Sequence, residues 1–167
     1  MGRGRLRGQA EMTLHLAPTV KVVRLSNTQP GDLVIYDKAF CFVCVSATDP
    51  DKHLRLAAVD VATPQFALWF FSVDIDVLAL GPDIVIAPVI DAAITPTPPA
   101  ANSGLTLFLN GVAPIAVVTI GGSREWRMLD LSSGTISTAS ERSFPAFPHW
   151  QLGVKDGSDG VTWLKTV

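Results

Sequence analysis

Along the chain, short apolar runs recur between turn-forming residues, while the three-and-four spacing of an amphipathic helix is almost absent. The pattern predicts strands at Val20 to Leu25, ended by Ser26-Asn27-Thr28-Gln29-Pro30-Gly31, and at Leu33 to Tyr36 and Phe40 to Ser46, which flank an Asp37-Lys38 reversal. His53 to Val61 and Phe66 to Phe71 follow. In Ser72-Val73-Asp74-Ile75-Asp76-Val77 apolar residues alternate with Asp, the mark of a strand with one wet face, and Ile84 to Ala87 predicts one more. Asp91 to Ser103 holds Pro96, Pro98 and Pro99 among Ala and Thr. Proline offers no N–H to a sheet ladder, so this stretch reads as a stiff linker.

Beyond the linker the layout begins again. Gly104 to Leu109, the Asn110-Gly111 turn and Ile115 to Thr119 repeat Gly31 to Tyr36, Asp37-Lys38 and Phe42 to Ser46 with a shift of 73 residues. Further on, Leu129-Asp130-Leu131-Ser132-Ser133 matches Val59-Asp60-Val61-Ala62-Thr63 after a loop three residues shorter. A recurring order of strand, turn, glycine and aspartate is the signature of a repeat. The expected fold is all-β, two small SH3-like or β-barrel-type lobes from an internal duplication, with a single β-sandwich as the alternative. Residues 1–18 are the flexible basic N-terminal arm, 19–90 the first β lobe, 91–103 the Pro/Ala/Thr linker and 104–167 the second β lobe. The resemblance is one of layout. No diagnostic motif of an SH3-like, OB or Tudor family is visible.

Composition adds a constraint on the surface. Hydrophobic residues make up 48% of the chain and charged residues 17%, against roughly 25% charged in an ordinary soluble domain. A surface so poor in charge points to burial against something else, as in an oligomer or an assembly subunit. The net charge of −2 gives the body no electrostatic reason to seek nucleic acid or anionic lipid. The exception is the arm, where Arg3, Arg5 and Arg7 stand between glycines and can reach phosphate or a neighbour's acidic face. Gln9, Glu11 and His15 follow it in place of an apolar run, so no secretory signal is read. Asp74, Asp76, Asp83, Asp91, Pro82 and Pro88 interrupt the most apolar region and exclude a membrane helix there. The cytoplasm or a virus particle is the expected location.

Candidate chemistry is sparse. Cys41 and Cys44 lie three apart on a predicted strand, hence on opposite faces, and read as small buried hydrophobes. Gly121-Gly122-Ser123 has no following helix to hold a phosphate and reads as a turn. Lys155-Asp156-Gly157-Ser158-Asp159-Gly160 lacks the later Glu of a calcium loop and reads as a tight turn before the strand Val161 to Lys165. Asp74 and Asp76 share a strand face, which they keep soluble and guard against edge pairing. No metal or cofactor is expected.

The aromatics carry more. Trp69, Phe70 and Phe71 in the first half, and Trp126, Phe144, Phe147, Trp150 and Trp163 in the second, are candidates for a stacking surface. The prolines of Phe144-Pro145-Ala146-Phe147-Pro148-His149-Trp150 bar that segment from a sheet interior, so its rings either close their own lobe or dock into a neighbour. Arg127 stands beside Trp126. The interface or ligand candidates are therefore Arg3, Arg5, Arg7, Trp126, Arg127, Phe144, Phe147 and Trp150. Two functions fit: a non-enzymatic structural or assembly protein packing against copies of itself or a larger partner, such as a virus or phage particle component, or a β module binding nucleic acid, carbohydrate or peptide.

Overall fold

The computed structural model describes residues 20–60, 65–80, 83–89, 107–108, 111–118, 124–138, 146–147, 149–155 and 160–166. Their strands are β1 (Lys21–Arg24), β2 (Leu33–Tyr36), β3 (Ala39–Ser46), β4 (Arg55–Asp60), β5 (Gln65–Trp69), β6 (Asp76–Ala79) and β7 (Ile84–Pro88). After them come β8 (Leu107–Phe108), β9 (Val112–Val118), β10 (Arg124–Asp130), β11 (Thr135–Thr138), β12 (Ala146–Phe147), β13 (Trp150–Lys155) and β14 (Val161–Thr166). Among the described residues there is no α-helix, only one turn of 3-10 helix at Leu25–Asn27, and no helix long and apolar enough to cross a membrane. The all-β expectation holds.

Nine strands join in one sheet in the order β1-β6-β2-β3-β11-β10-β9-β5-β4. The sheet curls far enough that β4, its last strand, also pairs with β3. A three-stranded sheet runs β14-β13-β7, and β12 pairs with β8.

The expected lobes do not close. Neither half makes a barrel of its own, because two parallel ladders splice the halves together. β5 lies beside β9 with Phe66 opposite Ile115, and β11 beside β3 with Ile136 opposite Ser46. The edge strands that would have to seal each lobe are satisfied by the other half. The first half's β7 likewise pairs with β13 of the second. Two antiparallel meanders, β3-β4-β5 and β9-β10-β11, remain recognisable, the third strand of each lying along the first strand of the other.

Burial follows the two-residue period of the strands. Phe42, Cys44, Ala57, Val59, Phe66, Ala113, Ile115, Leu129 and Ile136 point to one face and form the main core, joined there by Trp150, Leu152 and Val154 of β13. Val34, Cys41, Val43, Leu56 and Ala58 point the other way and pack with Leu25 and Val77. β3 is thus covered on both faces, which explains its unbroken apolar run. The two cysteines fall in different clusters, as the strand period requires, and burial pushes each thiol up to about 12.

Two expectations need correction. The strand read at Ser72 to Val77 begins only at Asp76, because Ser72 and Val73 form a bend and Asp74 is drawn to Ser26. Its carboxylate accepts from the Ser26 N–H at 3.0 Å and the Ser26 hydroxyl at 2.8 Å. Trp150, read as part of an extended aromatic segment outside the sheets, opens β13, the middle strand of its sheet. It follows the last proline of that segment and so keeps its own N–H for a ladder. The basic arm, the 91–103 linker, the 121–123 turn, Phe144 and the 156–159 turn lie outside the described residues.

Candidate interaction surface

Four strands place an apolar row on one sheet face. Strand alternation puts Val22 and Arg24 of β1 on one side and Lys21 and Val23 on the other, where Val23 packs against the second core cluster. In β6, Val77 turns into that same cluster, leaving Asp76 and Leu78 on the opposite face. The ladders then align the row: Val22 opposite Leu78, Leu78 opposite Ile35, Ile35 opposite Phe40. Exposure rises along it toward the edge. Phe40 and Ile35 are half-buried against the main core, Leu78 is 38% exposed and Val22 69%. Val20, on the same side of the chain, is exposed as well.

β1 is an edge strand, with β6 its one ladder partner among the described residues. Edge strands are commonly guarded by charge. Here the guards stand aside: Lys21 is on the other face, and Arg24 reaches across to Asp76, Nε to Oδ1 3.3 Å, while its Nη1 donates to the Asp74 carbonyl at 3.3 Å. Hydrogen bonds from Ser26 hold the Asp74 carboxyl below the usual carboxylate range. The surface is an apolar centre whose rim holds Arg24 and Asp76, with the Asp74 carboxylate nearby.

Those of the sequence candidates that lie among the described residues are not gathered into one surface. Trp150 is fully buried, its ring stacked on Phe66 with centroids 6.1 Å apart, and Phe147 is buried too. Trp126 is half-exposed on β10, whereas Arg127, one position on, takes the opposite face and ion-pairs with Glu125. Arg3, Arg5, Arg7 and Phe144 lie outside the described residues. Val22, Leu78, Arg24 and Asp76 were missed. Their alternation was visible, but β1 and β6 lie some 50 residues apart, and nothing local announces that pairing.

A second cluster is polar. The Asp49 carboxylate takes a 2.7 Å bond from the Arg55 guanidinium and lies 3.3 Å from the His53 ring. Burial raises its pKa, but the Asp51 N–H, His53 and Arg55 outweigh this and hold it below its ordinary value. Arg55 also sits 5.1 Å over the Phe70 ring. Asp49, Asp51 and His53 could converge on a metal ion, yet Arg55 already supplies Asp49 with a cation. Asp49, Lys52, Ser133 and Thr135 line a cleft of about 430 Å3 together with Pro30 and Val45. On the outer sheet face, Tyr36 meets Trp69 and Phe71 edge to face, centroids 5.8 and 5.2 Å apart.

Comparison with protein-family models, curated proteins and solved structures finds no match.

Proposed function

We propose that the chain is a non-enzymatic structural or assembly protein that packs against copies of itself or a larger partner through the row Val22, Leu78, Ile35 and Phe40. One observation carries this reading: Val22 and Leu78 are paired across an edge of the sheet and both exposed, on a chain with few charges to cover such a surface. A virus or phage particle component is the setting that best suits the low charge and the basic arm, whose Arg3, Arg5 and Arg7 supply the charge a nucleic-acid contact would use. The repeated layout is read as an internal duplication, supported by the order of the two meanders, whose parallel ladders differ in register.

The test is the solution mass of the full chain by light scattering across concentration, beside Leu78→Asp. Mass that grows with concentration and falls in the variant supports the reading. Equal mass in both opposes this surface. The Tyr36, Trp69 and Phe71 cluster favours a second reading, a ligand-binding module whose rings lie in the first half rather than the second. Loss of oligonucleotide or oligosaccharide binding in Trp69→Ala, with folding kept, would support it.

A further inference from the structure

We infer that the partner is a second copy of this chain, docked face to face across a two-fold axis, with Arg24 of each copy set against Asp76 of the partner subunit. This rests on the assembly reading above and names its occupant. In an isologous interface one patch must complement itself: wherever a residue meets a second one, that second residue meets the first across the axis. A rim of one sign would repel its own copy. This rim holds one cation and one anion side by side, Arg24 and Asp76, 56% and 61% exposed and aligned on neighbouring strands. Turned through half a revolution, the pair presents Asp76 to Arg24 and Arg24 to Asp76, an alternating square of four charges beside the Val22–Leu78 pair.

The obvious competitor is extension of the sheet by pairing β1 antiparallel with β1 of a second copy. Residues directly opposite in such a ladder share a face, so a pairing centred on Val22 sets Lys21 against the second copy's Val23 and leaves the outward sides of Val22 and Leu78 wet. Packing on the sheet face covers both.

Charge exchange tests this geometry. Arg24→Asp leaves two acidic groups on the rim and Asp76→Arg leaves two basic ones; both sites are exposed, so the core is spared. The unaltered chain is expected to approach twice its monomer mass in light scattering as concentration rises. Each variant alone should associate at least about tenfold more weakly. An equimolar mixture of the two should regain the dimer as a heterodimer, and Arg24→Asp/Asp76→Arg in one chain should dimerise by itself. Circular dichroism melts report whether each variant folds. Self-association that neither variant weakens, or a mixture of folded variants that stays monomeric, would overturn the two-fold arrangement while leaving assembly through another surface standing. A full chain that is monomeric at every concentration would overturn self-association altogether.

Discussion

Gly134 lies so close to Gly31 that a β-carbon on Gly134 would stand 2.2 Å from the Gly31 nitrogen and 2.5 Å from the Val43 carbonyl oxygen. Both glycines take positive φ, 63° and 95°, and both turns are tied to β3: the Gly31 N–H donates to the Val43 carbonyl, and the Val45 N–H to the Gly134 carbonyl. This contact stands beside the parallel ladder between β3 and β11, where the two halves of the chain meet. Gly134→Ala sets a methyl against backbone that cannot turn away, and is expected to cost about 3 kcal/mol or more in the urea midpoint. Gly111→Ala is the control. Gly111 also has positive φ, but nothing lies within 4 Å of its added carbon, so about 1–2 kcal/mol of conformational strain is expected there.

Asp37 and Lys38 carry the two-residue β2–β3 turn at φ of 46° and 64°, a conformation glycine enters without the steric cost of a side chain. Lys38→Gly should raise stability by about 0.5–1 kcal/mol, measured as a shift in denaturant midpoint at unchanged slope. A lower midpoint would show that the lysine side chain contributes something the turn geometry does not account for.

Trp150 tests whether the second half's aromatics are core or surface. Stacked on Phe66 and fully buried, it should cost about 3–5 kcal/mol when replaced by alanine and less when replaced by phenylalanine. A Trp150→Ala chain with wild-type stability would contradict the packing.

The cysteines make a prediction about pH. Burial raises each thiol from 9.0 to about 12, so at pH 9 the unfolded chain ionises them and the folded chain does not. Iodoacetamide should therefore label the native protein slowly at that pH and the denatured protein quickly. The sign for stability follows: the folded state binds more protons above pH 9, so stability falls as pH rises through that range.

Much of the strand inventory was legible because a strand writes itself in local alternation and in its turns; Leu33 to Tyr36, Phe40 to Ser46 and Val161 to Lys165 are examples. The architecture was not. The repeated layout suggested two self-sealing lobes, yet closure depends on which edge meets which, and the parallel ladders at Phe66–Ile115 and Ile136–Ser46 join residues far apart in sequence. The candidate surface was hidden for the same reason. Val22 and Leu78 look like ordinary strand residues until β6 comes to lie beside β1, whereas Trp150 was conspicuous by residue type and proved to be core.

Thiol cross-linking places the central claim on a single side chain. Cys41 and Cys44 are buried, so a cysteine introduced at position 22 supplies the reactive thiol. The two-fold packing sets Val22 over Leu78 of the partner subunit and leaves the two copies of position 22 about 10 Å apart, the spacing of packed sheets. Val22→Cys should be joined into a covalent dimer by a short bis-maleimide, while Lys21→Cys, on the opposite face of the same strand, should not. Equal cross-linking at both positions, or none at position 22, would contradict docking through this face.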